Sequence, residues 1–161
     1  MKLVDCYIPM DCQALNSMSN LISRFEYNIE KGDYDRAGVV SAIIKRKLKD
    51  LSFSKELIRR VAVVSYEAEL NIIIHSLGGK LLFDIYSDRV VISTEDKGPG
   101  IADIELALTP GYSTAEEEAQ ILGFGAGMGL PNMKKNSDIF NIESTYGIGT
   151  KISMTVFVKE E

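Results

Sequence analysis

The stretch Ile72-Ile73-Ile74-His75-Ser76-Leu77-Gly78-Gly79-Lys80-Leu81-Leu82-Phe83-Asp84-Ile85-Tyr86 is where the chain changes period. Upstream of it, Ser54 suits a helix N-cap, and Leu57, Val61, Val64, Ala68 and Ile72 recur at helical spacing as one apolar stripe. The glycine pair Gly78-Gly79 ends that helix. Downstream, residues 80–87 and 89–94 are rich in β-formers and are split by Ser87-Asp88, which reads as a hairpin turn. A long helix running into paired strands is the mark of an α+β chain.

Working outward, residues 2–8 read as a strand ended by Pro9, residues 11–20 as a short helix, and Phe25–Ile29 as a second strand. Gly32 breaks that run, and Asp33 is placed to cap a helix over 34–50 whose apolar positions are Ala37, Val40, Ile44, Leu48 and Leu51. Residues 98–126 are acidic and punctuated by glycine, too long for an ordinary connection, which points to function. A helix over 127–136, a strand at 138–144, a turn at Tyr146-Gly147-Ile148-Gly149 and a strand at 150–158 follow. With no compositional break or repeat, residues 1–161 read as one domain. Its expected architecture is a two-layer α/β sandwich with a mixed, mostly antiparallel sheet and helices on one face.

Composition removes several classes of function. The chain has 161 residues, 45% hydrophobic and 25% charged, enough to bury a core without disulfides or structural metals. Its net charge of −5 argues against direct nucleic-acid binding. No apolar run reaches the ~18–20 residues of a membrane span, and no secretory h-region is visible. Cys6 and Cys12 make no disulfide framework; free thiols in a reducing cytoplasm fit better than a redox or metal half-site shared between two subunits. The single histidine, His75, excludes a multi-histidine metal centre.

Three features carry chemistry. Glu67, Asn71 and His75 lie four residues apart on the long helix and share a face, interrupting an otherwise apolar segment. They form either a polar solvent face or one wall of a site, because burying a carboxylate beside a carboxamide is costly unless both are satisfied. Asp96-Lys97-Gly98-Pro99-Gly100 leaves the second hairpin strand. It is either an ordinary turn or a fixed carboxylate, which only accepts hydrogen bonds and so suits an exocyclic amine such as that of adenine. Gly123-Phe124-Gly125-Ala126-Gly127-Met128-Gly129-Leu130 runs into a helix. It reads as a hinge or as backbone N–H groups aimed at an anion. Neither the dinucleotide fingerprint nor the Walker loop fits these glycines.

Glu67-x-x-x-Asn71, Asp96-x-Gly98-x-Gly100, Gly125-x-Gly127-x-Gly129-Leu130 and Gly147-Ile148-Gly149-Thr150 resemble, in order and spacing, the motifs of the GHKL, or Bergerat-fold, ATPases. Within that superfamily the chain is most similar to stand-alone serine/threonine kinases of the anti-sigma regulatory factor type. The resemblance implies ATP and Mg²⁺ as cofactors, with Asn71 as the metal-binding residue and Glu67 as general base. It also implies that Asp96 accepts the adenine amine, with Thr150 supporting the adenine edge and Gly98 and Gly100 letting backbone pass close to the base. Gly125, Gly127 and Gly129, leading into Leu130, would hinge an ATP lid over residues 101–126 and offer N–H groups to the phosphates. His75 would contact phosphate, or else be a satisfied helix-face histidine.

The lid departs from many relatives. It contains Asp103, Glu105, Glu116, Glu117 and Glu118 and no Lys or Arg. These acids would repel a triphosphate unless they face outward, to solvent or to a basic patch on a partner. Among Lys97, Lys134 and Lys135, Lys134 is the expected phosphate neighbour. The Tyr112-Ser113-Thr114 run reads as an ordinary hydroxyl-rich loop or as a contact site.

Two functions follow from the resemblance. One is a protein serine/threonine kinase acting on a small antagonist protein, with a sigma factor as a possible third partner. The other is an ATP-gated protein-binding module. The length is not expected to accommodate the second domain of gyrase, chaperone or mismatch-repair relatives, and with its only histidine, His75, on the Glu67–Asn71 face the chain is not expected to be a complete histidine kinase. The family allows a homodimer through residues 1–30. Nucleic acid and membrane are not expected partners.

Overall fold

The computed structural model describes residues 20–159. The expected strand at 2–8, almost all of the helix at 11–20, and both cysteines lie outside the described residues.

Five strands form one sheet: β1 (Leu21–Ile29), β2 (Gly79–Tyr86), β3 (Arg89–Asp96), β4 (Ile139–Thr145) and β5 (Gly149–Phe157). They lie in the order β1-β2-β3-β5-β4, and each neighbouring pair is antiparallel. The helices are α1 (Val39–Asp50), α2 (Lys55–His75), α3 (Ile104–Ala107), α4 (Glu117–Ile121) and α5 (Gly129–Asn136). The α+β expectation holds, and among the described residues the sheet is wholly antiparallel.

The strand alternation builds the core. Leu81, Phe83 and Ile85 of β2, Val90 and Ile92 of β3, and Met154 and Val156 of β5 are fully buried. The register sets Phe83 opposite Ile92 and Ile92 opposite Met154, so these side chains form rows across one face. Val61, Val64, Ala68 and Ile72 of α2 are buried, and the helix contacts β1, β2, β3 and β5. Each such large aliphatic or aromatic side chain contributes about 1.5–3 kcal/mol on burial. Asp84, between two core residues of β2, takes a bidentate pair from its cross-strand partner Arg24, with both N···O distances 2.7 Å.

The stretch expected to be one helix over 34–50 is two pieces. A 3-10 turn, Tyr34–Arg36, precedes Gly38, whose φ of 90° is left-handed, and α1 starts only at Val39. Asp33 makes no side-chain cap. The start of α1 is capped instead from α2, where the buried Glu69 carboxylate accepts the N–H groups of Val40 (3.1 Å) and Ser41 (3.0 Å). The left-handed φ is what favours glycine at Gly38; a Cβ there would stand 3.2 Å from the Tyr66 ring, which would have to shift slightly. Leu51, expected on the buried stripe, is half exposed beyond the end of α1.

Helix α2 is held along its length. Ser54 caps it by accepting Leu57 N–H at 3.3 Å. Arg60 donates to Asp138 (2.9 Å) and to the Asn136 carbonyl (3.2 Å), at the junction of α5 and β4. At its other end, Leu77 N–H donates to Lys97 O at 2.6 Å and Lys97 N–H to Gly78 O at 3.0 Å. The face carrying Glu67, Asn71 and His75 is therefore fixed relative to the end of β3. No described helix is long and apolar enough to cross a membrane.

Candidate nucleotide site

A cavity of about 560 Å³ lies between α2, the end of β3, the start of β5 and the segment 99–130. That is within the ~300–1,000 Å³ range of small-molecule sites. Glu67, Asn71, His75, Asp96, Gly100, Gly125, Gly127, Gly129, Leu130 and Thr150 all line it. Gly98 does not; it packs behind the wall, where a Cβ would stand 3.0 Å from Ser76 Cα, and its N–H donates to Ile148 O at 3.1 Å.

One end is polar and belongs to α2 and α5. Asn132, the fourth residue of α5, donates its side-chain amide to Glu67 Oε1 at 2.7 Å. The Asn71 side chain makes no hydrogen bond with any described residue. A Cβ on Gly129 would stand 3.1 Å from Asn71 Oδ1 and 3.5 Å from Glu67 Oε2, so α5 approaches these groups as closely as backbone allows. No side chain caps the start of α5. The first N–H groups of a helix have no intrahelical acceptor, and Gly129 and Leu130, which carry two of them, line the cavity. Pro131, the next residue, has no N–H to offer.

The other end is built on β3 and β5. Asp96 Oδ1 accepts the backbone N–H of Thr150 at 3.2 Å. Burial pushes the Asp96 carboxyl above its usual range, and the Thr150 N–H offsets part of that rise. The Thr150 hydroxyl meets Ser144 Oγ at 2.9 Å, and Ser144 Oγ also accepts the N–H of Ile101 at 2.8 Å. Ser144 thus joins the Asp96–Thr150 end to the first residue of the lid. Its place on β4, outside every recognisable motif, gave no signal in the sequence.

The lid contains α3 and α4, and Gly111 N–H, between these two helices, donates to the O of Gly127, just past the lid, at 2.9 Å. The helix expected over 127–136 begins only at Gly129, because Gly127 has a left-handed φ of 72°. Tyr112, Ser113 and Thr114 line the cavity. Thr114 Oγ1 lies 3.5 Å from His75 Nδ1, and burial pushes the His75 imidazole below its usual range. His75 is therefore a neutral hydrogen-bonding group at pH 7 in the free protein.

The lid carboxylates divide. Asp103 caps α3 by accepting Leu106 N–H at 2.9 Å, and Glu105, Glu117 and Glu118 are exposed away from the cavity lining. Glu116 is not turned to solvent alone: it pairs with Lys31 at 3.7 Å, and both line the cavity. Lys97, Lys134 and Lys135, among them the expected phosphate neighbour Lys134, do not line it; Lys31 does. Lys31 and Asn132 were not singled out from the sequence. Asn132 had a signal, since it follows Gly129 by three residues and so shares its helix face.

No group of three or more His, Cys, Asp or Glu able to hold a metal occurs among the described residues. A free amide oxygen on Asn71 fits a Mg²⁺ ion that takes its remaining ligands from phosphate and water.

A family model described as histidine kinase-, DNA gyrase B-, and HSP90-like ATPase matches residues 56–160. The serine/threonine-protein kinase RsbT of Bacillus subtilis is 32% identical over 108 residues, 65% of this chain and 75% of that protein. An anti-sigma F factor of Caldanaerobacter subterraneus is 35% identical over 97 residues, 57% of this chain and 64% of its own length. An anti-sigma F factor of Clostridium novyi is 32% identical over 113 residues, 66% of this chain and 76% of its own.

Proposed function

The chain belongs to the histidine kinase-, DNA gyrase B-, and HSP90-like ATPase family, and from that premise we propose that it is an ATP-dependent serine/threonine kinase for a protein substrate. The observation that carries this reading is the convergence of Glu67, Asn71 and Gly129 at one end of a cavity whose other end is Asp96. A purine amine donates to Asp96, whose second oxygen is left over by the Thr150 contact. Asn71 would hold Mg²⁺, which when bound would neutralise charge on the phosphates. The start of α5 supplies N–H groups to the phosphate chain.

Glu67 then acts as general base. Its carboxylate accepts the proton of a substrate Ser or Thr hydroxyl as that oxygen bonds to the γ-phosphorus, and the bond from the γ-phosphorus to the bridging oxygen breaks to release ADP. Asn132 holds the carboxylate in place by occupying Oε1, leaving Oε2 for the proton. The relatives' names, a serine/threonine-protein kinase and anti-sigma F factors, support a protein partner; we take that partner to be an antagonist protein or a sigma factor, met in the cytoplasm. We propose residues 1–161 as one catalytic domain, alone or as a homodimer.

The test is incubation with Mg²⁺, radiolabelled ATP and candidate antagonist proteins encoded beside this one. Transfer to a Ser or Thr is expected, lost in Glu67→Ala while ATP binding persists. Tight ATP binding with no transfer to any partner would favour a second reading, an ATP-gated binding module. One observation supports that second reading: the lid is tied to the segment after β1 by the Lys31–Glu116 pair and by Tyr34 stacked on Phe124, with ring centroids 5.7 Å apart.

A further inference from the structure

Among the described residues that line the cavity, Glu67, Asp96, Asp103 and Glu116 are acidic and Lys31 alone carries a permanent positive charge. A phosphate chain entering such a space meets repulsion on most sides. The lid, residues 101–126, supplies no Lys or Arg to counter it. We propose that Lys31, from the loop after β1, is the phosphate-binding cation of this site, and that it exchanges Glu116 for the nucleotide's phosphates when ATP enters. This inference rests on the reading of the cavity as an ATP site.

The geometry supports the exchange. Gly32 N–H donates to Ile73 O at 2.9 Å, which fixes the backbone beside Lys31 against α2 between Asn71 and His75. The Lys31 ammonium reaches across to Glu116 at 3.7 Å. Two residues earlier in the lid, Thr114 meets His75 at 3.5 Å. Lys31, Glu116, Thr114 and His75, all lining the cavity, thus form one seam joining the lid to α2 and the loop after β1. The Lys31 and Glu116 side chains are 46% and 72% exposed. An ion pair that open holds little energy, whereas an ammonium–phosphate contact is charge-assisted and stronger. A compact charge on a flexible four-carbon stem suits the swing from one partner to the other.

Calorimetric titration of wild type, Lys31→Ala, Lys31→Arg and Glu116→Gln with Mg-ATP, and with adenosine as a phosphate-free probe, tests this. Lys31→Ala is expected to bind Mg-ATP about tenfold more weakly with adenosine affinity unchanged. Lys31→Arg is expected to recover most of the loss, and Glu116→Gln to bind Mg-ATP as tightly as wild type or more tightly. Equal weakening by Lys31→Ala and Glu116→Gln would overturn the inference, because it would make the pair only a latch on the lid. Unchanged Mg-ATP affinity in Lys31→Ala would overturn it too, while leaving the ATP site standing. If wild type bound neither Mg-ATP nor adenosine, the site reading would fail and the inference with it.

Discussion

The side-chain amide of Asn132 donates to Glu67 Oε1 at 2.7 Å, joining α5 to α2 at the polar end of the cavity. This bond sets where the second carboxylate oxygen points. Asn132→Ala is therefore expected to lower kcat for phosphoryl transfer about tenfold, with the KM for ATP within about twofold of wild type. Steady-state kinetics of both proteins check it. A raised KM at unchanged kcat would make Asn132 a binding residue instead.

Gly129 separates stability from binding. It begins α5 without a left-handed φ, so Gly129→Ala should favour the helix by about 0.5–1 kcal/mol. The added methyl, however, would stand 3.1 Å from Asn71 Oδ1, where metal is expected. The predicted outcome is an unchanged or raised Tm together with at least about tenfold weaker Mg-ATP binding. Thermal unfolding and titration on one preparation measure both.

His75 gives stability a pH dependence of known sign. Burial holds its folded-state pKa below the usual 6.5, so near and below that pH the unfolded chain binds more protons than the folded one. Stability should fall as pH drops from about 6.5 towards the folded-state value, with no further loss from this group below it. His75→Gln removes that contribution. Urea unfolding of both proteins at about pH 7.5 and about pH 5.5 should show a steeper acid-side decline in wild type.

Arg60 tests the framework that orients α2. Its side chain is 10% exposed and bonds Asp138, which also accepts Phe157 N–H at 2.7 Å. Burial raises the Asp138 carboxyl, but Arg60 and that N–H outweigh it and hold the group below its usual range. Its stabilising share is therefore present above pH 3.8 and lost as pH falls through the lower folded-state value. Arg60→Ala is expected to cost about 2–3 kcal/mol at neutral pH and to shrink that acid-side loss. Denaturant titration reads both.

Much of this arrangement is legible in the sequence because it rests on local periodicity. The four-residue spacing of Glu67, Asn71 and His75 fixes a shared helix face, and the change of period after Gly78 fixes the hairpin that carries Asp96 to the cavity. What escapes is set by tertiary contact. Gly38 breaks the expected helix with a left-handed φ, and Glu69, a residue of another helix, caps the new start. Lys31 is 36 residues before Glu67 and reaches the cavity only because β1 pairs with β2 and delivers its loop to the end of α2. Ser144 enters through a register that no motif encodes.

The central claim is that an adenine nucleotide occupies this cavity with its base on Asp96. Calorimetric titration with Mg-ATP of wild type and Asp96→Asn tests it most directly, because the substitution keeps the side chain's shape while placing a donor where the adenine amine needs an acceptor. The account predicts saturable binding by wild type and a loss of about a hundredfold or more in Asp96→Asn, with the fold intact by circular dichroism. Equal affinity in the two proteins, or no binding by wild type, would contradict it.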